Sequence, residues 1–173
     1  QTKMGRGGIR PLEFKTFSKE MQNAITNYCQ AGGNFFVSGA YVASDLWDNR
    51  LVKANEEDKK FAMEVLKYKW RVGQAARNGK VKSVASPFPE ITGSYTYYQD
   101  LNPESYVVES PDALEPAAQG AFTILRYSEN NLSAGIAYKG NYKTCVLGFP
   151  FEAIRTVTER ELLMKAILTF FEH

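Results

Sequence analysis

Histidine is nearly missing from this 173-residue chain: His173, the last residue, is the only one. Chain ends fray, and a general base must be held within about 3 Å of the proton it takes, so this imidazole is badly placed for catalysis. Without another, neither a Ser-His-Asp nor a Cys-His pair is expected, nor a zinc site of the usual histidine-bearing type. Cysteine is scarce as well. Cys29 and Cys145 are the only two, far apart and in apolar settings, which excludes a disulfide scaffold and a thiolate metal cluster. No apolar run approaches the roughly 18 residues of a membrane span. Nor is one sign of charge in excess: 21 Lys and Arg against 19 Asp and Glu leave a net +2, unlike a dedicated nucleic-acid binder. No metal or cofactor is expected.

What is present is an ordinary globular composition, 44% hydrophobic and 23% charged, at the size of one domain. Residues 1–15 lack periodicity and read as an irregular lead-in, with a single domain over 16–173. The first residue is Gln1 rather than Met, which reads as a processed or trimmed end. Ser18 is placed to cap a helix whose stripe is Met21, Ile25, Tyr28 and Cys29, ended by Gly32-Gly33. Asn34 to Ser38 then reads as a short, fully buried strand, and Gly39 to Leu51 as a loop or short helix. A long helix is expected over Asn55–Val72 and a strand over Lys80–Ala85, broken at Ser86-Pro87. Short strands are expected at Ile91–Gln99 and Ser105–Glu109, with a loop over Pro111–Gly120. Ala121–Tyr127, Leu132–Tyr138 and Lys143–Phe149 form an antiparallel meander turned at Asn130-Asn131 and Gly140-Asn141. A final helix, boxed by Thr158 and Glu161, buries Leu162, Leu163, Ala166, Ile167, Phe170 and Phe171. Helices with buried strands and a late meander imply an α/β domain, a mixed sheet flanked by helices. A domain of this kind normally opens with strands before its first helix, and here those upstream strands are absent from the sequence.

Few residues suggest chemistry. Ser38 and Tyr41 follow a strand, where α/β enzymes place a nucleophile, but the elbow pattern wants glycine on both sides and only Gly39 is there. A structural turn is the plainer reading. Asp45, with Asp48 and the acids at Glu56, Glu57 and Asp58, offers carboxylates, yet acids before a helix also suit its N-terminus. Cys29 and Cys145 read as core residues. Tyr95, Tyr97, Tyr98 and Tyr106, with Trp47, are candidates for a flat surface that binds a sugar ring or a protein. Against this stands the reading that Tyr95 and Tyr97 face inward at period two. Lys60, Lys67, Lys69, Arg71, Arg77 and Lys80 make a basic stretch that reads first as a solvated helix face.

Two segments resemble a known family. Tyr28-Cys29-Gln30-Ala31-Gly32-Gly33-Asn34-Phe35-Phe36-Val37-Ser38-Gly39 resembles the helix, double glycine and strand of class I glutamine-amidotransferase-like domains. Cys145 to Glu152, with Arg160, Leu163 and Met164 behind it, resembles their last strand and helix. The pairing looks like the amidotransferase-like domain of large secreted Bacteroidetes proteins often labelled xanthan lyase. The resemblance implies a flavodoxin-like fold, a secreted, periplasmic or cell-surface location, and membership of a multidomain protein that handles polysaccharide. Its partners would be other domains of the parent chain and polysaccharide. The family's chemistry does not carry over. Where active members have Phe-His-Pro-Glu, this chain has Phe149-Pro150-Phe151-Glu152, so Pro150 stands at the histidine position while Glu152 is kept. The nucleophilic cysteine is replaced by the Ser38-Gly39-Ala40 turn. The expectation is a non-catalytic module. The competing one is a lyase or hydrolase working at the C-terminal strand ends through Ser38, Tyr41 or Asp45 with Glu152.

Overall fold

The computed structural model describes residues 15–48 and 54–173. Most of the expected lead-in, and the Asn49–Leu51 end of the loop after the first strand, lie outside the described residues. Ser18 accepts the Met21 N–H at 3.3 Å and starts helix α1, Lys19–Gln30. Gly32, at φ 89°, turns the chain out of it, a conformation that costs glycine nothing. The stripe is narrower than its spacing suggests: Ile25 and Cys29 are buried, but Met21 and Tyr28 stand half exposed. Strand β1 follows at Phe35–Ser38, half-buried along its whole length rather than fully buried. Next comes the single turn α2, Ser44–Trp47.

The long helix expected over Asn55–Val72 does not form. Asn55 and Asp58 make a capping box for α3, Glu56–Phe61, which runs into one π turn at Ala62–Leu66. Lys67 then takes a left-handed backbone at φ 68° and stops the helix. Beyond it the pattern changes from helical spacing to alternation, with Tyr68 buried, Lys69 exposed and Trp70 half-buried. Aromatic and β-branched residues favour the pleated surface that this produces, strand β2, Tyr68–Val72. It pairs antiparallel with β5, Ala113–Pro116, inside a stretch the sequence suggests is loop. The basic stretch is therefore split. Lys60 meets Glu64 at 4.0 Å, Arg71 meets Glu115 at 3.6 Å, and Lys67 lies over the Tyr138 ring at 4.9 Å.

Between these lie β3, Lys80–Ser83, and β4, Ser94–Thr96, both shorter than expected, while Ser105–Glu109 is not a strand. The meander forms where expected, with β6 at Ala121–Tyr127, β7 one residue later at Ser133–Lys139, and β8 ending two residues early at Lys143–Leu147. The last helix, α4, Val157–Glu172, begins two residues earlier than the predicted box. Thr156 and Glu159 cap it, not Thr158 and Glu161. Leu163, Ala166, Ile167 and Phe170 face the sheet, whereas Leu162 lies on the solvent side and Phe171 is half-buried.

Six strands form the main sheet in the order β1-β8-β7-β6-β3-β4. Of its pairings, β1 with β8 is parallel and the rest are antiparallel. Alternation along β1 and β8 divides the core into two layers. Phe35, Val37 and Val146 join α1 and the π turn on one face. Phe36, Cys145 and Leu147 join α4 on the other. This is a mixed α/β sheet with a helix layer on each face, as the sequence implies. Among the described residues, no strand precedes α1.

Candidate functional site

β1 and β8 run side by side, and their C-terminal ends deliver Ser38-Gly39 and Gly148-Phe149-Pro150 to one rim of the sheet. Open α/β sheets place ligands at that rim. Here it opens into a cavity of ≈ 680 Å³, within the usual size of ligand pockets. The wall on one side is α1, through Met21 and Ile25. On the other it is the Leu101–Glu109 segment, and the floor is β1 with the turn after it, through Phe35, Val37, Ser38, Gly39 and Ala40. That segment is tied down by the Val108 N–H to the Tyr98 carbonyl at 3.0 Å and by an Asn102 side chain that accepts the Glu104 and Ser105 N–H groups. The lining is mostly apolar. Among the described residues no lysine or arginine lines it, whereas Glu109 does, and Tyr106 donates to Glu152 at 2.7 Å beside it.

Of the predicted catalytic candidates, Ser38 and Tyr41 line this cavity. Ser38 Oγ accepts the backbone N–H of Phe151 at 3.1 Å, a donor rather than a base, so the contact fastens the chain after β8 to the end of β1. Glu152 is exposed, on a 3-10 turn at Phe151–Ala153. Asp45 lies elsewhere. It is buried and accepts the N–H groups of Thr16 at 2.7 Å and Phe17 at 3.1 Å, holding the chain before α1. Burial pushes its pKa up against the pull of those two donors. Both cysteines are buried, and loss of solvation raises their pKa, strongly for Cys145, so neither is a ready thiolate.

The tyrosine surface is corrected in part. Tyr95 and Tyr97 are core residues, with Tyr97 stacked on Phe149 at 5.0 Å between centroids. They have no face to offer a sugar ring. Tyr98 is half-buried, donates to Glu104 at 2.7 Å and lies under the Arg155 guanidinium. Trp47 packs against Tyr68 at 6.4 Å, away from the cavity lining. The Tyr97 hydroxyl is buried without a hydrogen-bond partner. Removing a polar group that folding leaves unsatisfied costs nothing, so Tyr97→Phe is expected to match or exceed wild-type stability by up to about 1 kcal/mol. A fall in the urea midpoint would contradict this.

The sequence reading missed Asp112, which is wholly buried. Its Oδ2 accepts the Ala43 and Ser44 N–H groups, each at 2.9 Å, and the Ser44 hydroxyl at 3.1 Å; its Oδ1 accepts Trp70 Nε1–H at 3.1 Å. Four donors favour the carboxylate, but burial outweighs them and lifts its pKa to about 7. It binds α2 to the β2–β5 ribbon behind the cavity. The one sequence signal was a lone acid between Pro111 and an apolar pair, which is no motif.

No family model and no curated protein matches the sequence. Among solved structures, the chain is similar to a cold-adapted β-galactosidase from Rahnella sp. R3 at TM-score 0.58 and 13% identity. That likeness covers 89% of this chain and 21% of the enzyme. An exo-β-1,4-mannosidase from Opitutaceae bacterium strain TAV5 is similar at TM-score 0.48 and 10% identity, over 87% of this chain and 22% of the other. The chain therefore spans about a fifth of the length of either protein, and the first likeness shows that it shares a fold with one part of a larger one.

Proposed function

We propose that this chain is a non-catalytic, amidotransferase-like module of a larger secreted, polysaccharide-processing protein, and that its cavity holds a protein segment rather than a substrate. The observation that carries the reading is the Ser38 contact. The hydroxyl at the nucleophile position is engaged by a backbone donor, Pro150 stands where a histidine would be, and the described lining offers no imidazole. A serine without a base is a weak nucleophile. The flavodoxin-like relationship rests on the two motif segments, and the fold shared with part of a β-galactosidase agrees with a module carried inside a larger carbohydrate-active chain. An apolar cavity with acidic groups at its rim is a poor receptor for an acidic glycan, whose carboxylates would meet like charge.

The test is turnover. Neither neutral nor acidic glycans, nor simple esters, are expected to be cleaved, and isothermal titration with an acidic polysaccharide should show no heat that depends on the cavity. Pull-down should retain other domains of the parent chain. A second reading, an enzyme at the strand ends, has the open cleft and the exposed Glu152 in its favour. Glycan or ester cleavage that vanishes in Ser38→Ala and Glu152→Gln would establish it and end the module reading.

A further inference from the structure

The floor of the cavity is a strand with one side unused. Gly39 donates to the Leu147 carbonyl at 3.2 Å, which fixes the parity of the parallel ladder. Phe35, Val37 and Gly39 direct their backbone groups at β8; Phe36 and Ser38 direct theirs outward. Among the described residues no strand pairs with that outer side. An apolar parallel strand is normally covered on both faces, yet β1 stays half-buried while its partner β8 is almost wholly buried. Apolar side chains flank the unused edge on both sides. Met21, 49% exposed, stands on the α1 wall, and Leu101, 94% exposed, on the opposite one.

We infer that this slot receives an extended polypeptide strand from a partner, which pairs with the outer edge of β1 through Phe36 and Ser38. A backbone donor–acceptor row between two apolar walls is what strand addition requires, with alternate side chains of the guest entering each wall. A small apolar molecule would leave the row unpaired. Glu109 and the Tyr106–Glu152 pair at the rim select a guest with uncharged, alternating apolar residues and a lysine or arginine at its ends. The inference deepens the module reading by naming what its cavity binds.

The experiment displays random peptides of about eight residues on phage, a length that spans β1 with its flanks, and selects them on the 173-residue protein. Enriched peptides are then synthesised and titrated while backbone amide exchange is followed. Proline-poor, alternating apolar peptides with basic ends are expected. On binding, exchange at the Phe36 and Ser38 amides should slow at least about tenfold, while Phe35 and Val37, already bonded to β8, hardly change. Met21→Glu and Leu101→Asp alter half-exposed or exposed side chains and should leave the fold intact while weakening binding about tenfold or more. Peptides that bind without protecting Phe36 and Ser38, or a selection yielding none sensitive to these two changes, would overturn the inference. So would protection of the same amides by self-association alone, or by a fatty acid probe. None of those results bears on the non-catalytic half of the module reading, which falls to Ser38-dependent turnover.

Discussion

Replacing Asp112 with alanine is expected to lower stability by about 3 kcal/mol or more, because it orphans buried donors that water cannot reach. Three of them, the Ala43 and Ser44 N–H groups and Trp70 Nε1–H, stay fixed by their backbone or ring. For a chain of this size the loss corresponds to a fall of roughly 6–12 °C in Tm. Asp112→Asn should lose less, since an amide oxygen can still face Ala43 and Ser44, but its NH2 then meets the Trp70 donor. The pH dependence carries its own sign. The folded carboxyl titrates at about 7, well above its unfolded value, so the folded state holds a proton that the unfolded state has released between those limits. That contribution is complete below the unfolded pKa and is lost as pH rises through about 7, with a slope of at most about 1.4 kcal/mol per pH unit for one proton. Urea unfolding of wild type and Asp112→Asn from pH 4 to 8 measures it. The gap between them should narrow as pH rises; a constant gap would mean that the four donors hold Asp112 ionised throughout.

The parts of the fold legible in the sequence are those where local pattern and tertiary need agree. Ser18 and Gly32 bracket α1 because cap and left-handed turn are decided by the residues themselves. The meander from Ala121 to Leu147 announces itself through the polar pairs Asn130-Asn131 and Gly140-Asn141, which lie inside its two connections. The failures sit where the chain needed its neighbours. Phe61 to Trp70 carries helical spacing, and only the αL backbone at Lys67 and the presence of β5 as a partner convert its second half into β2. β5 itself hides behind Pro111 and Pro116, which read as breakers, yet Pro116 ends the ribbon rather than interrupting it. Thr158 and Thr156 both offer an acid three residues on, and the choice fell to the one leaving the 3-10 turn. The site was half legible. Ser38 and Tyr41 follow from their place after a strand, and both line the cavity. The cavity's second wall comes from an irregular segment between Leu101 and Glu109, for which periodicity gives no signal, and Asp112 acts through partners at 42 or more positions' remove.

Gly148→Ala is expected to be at least as damaging as Asp112→Ala, and for a reason that links the two. A Cβ at Gly148 would stand 1.9 Å from the Asp112 carbonyl oxygen, a contact with backbone that no rotamer change relieves. The Asp112 N–H donates to the Gly148 carbonyl at 2.7 Å, and the Tyr127 hydroxyl sits between the two carbonyls, 2.7 Å from that of Asp112 and 3.3 Å from that of Gly148. Admitting a methyl therefore means moving the segment before β5 away from the end of β8, stretching those bonds and drawing the Asp112 carboxylate off Ala43 and Ser44. Overpacking alone costs about 1–3 kcal/mol, and the lost hydrogen bonds add to it, so marginal or failed folding is the expected result. The coupling is measurable. Once Asp112 is alanine, its carboxylate bonds to α2 are gone, only apolar packing through Leu114 remains, and the segment is freer to retreat. Gly148→Ala should then cost less in the Asp112→Ala background than in wild type, by about 0.5–3 kcal/mol in a double-mutant cycle. Additive losses would mean that the glycine serves the end of β8 alone, and a Gly148→Ala protein within about 0.5 kcal/mol of wild type would mean that the close approach of the two backbones is not part of the folded state.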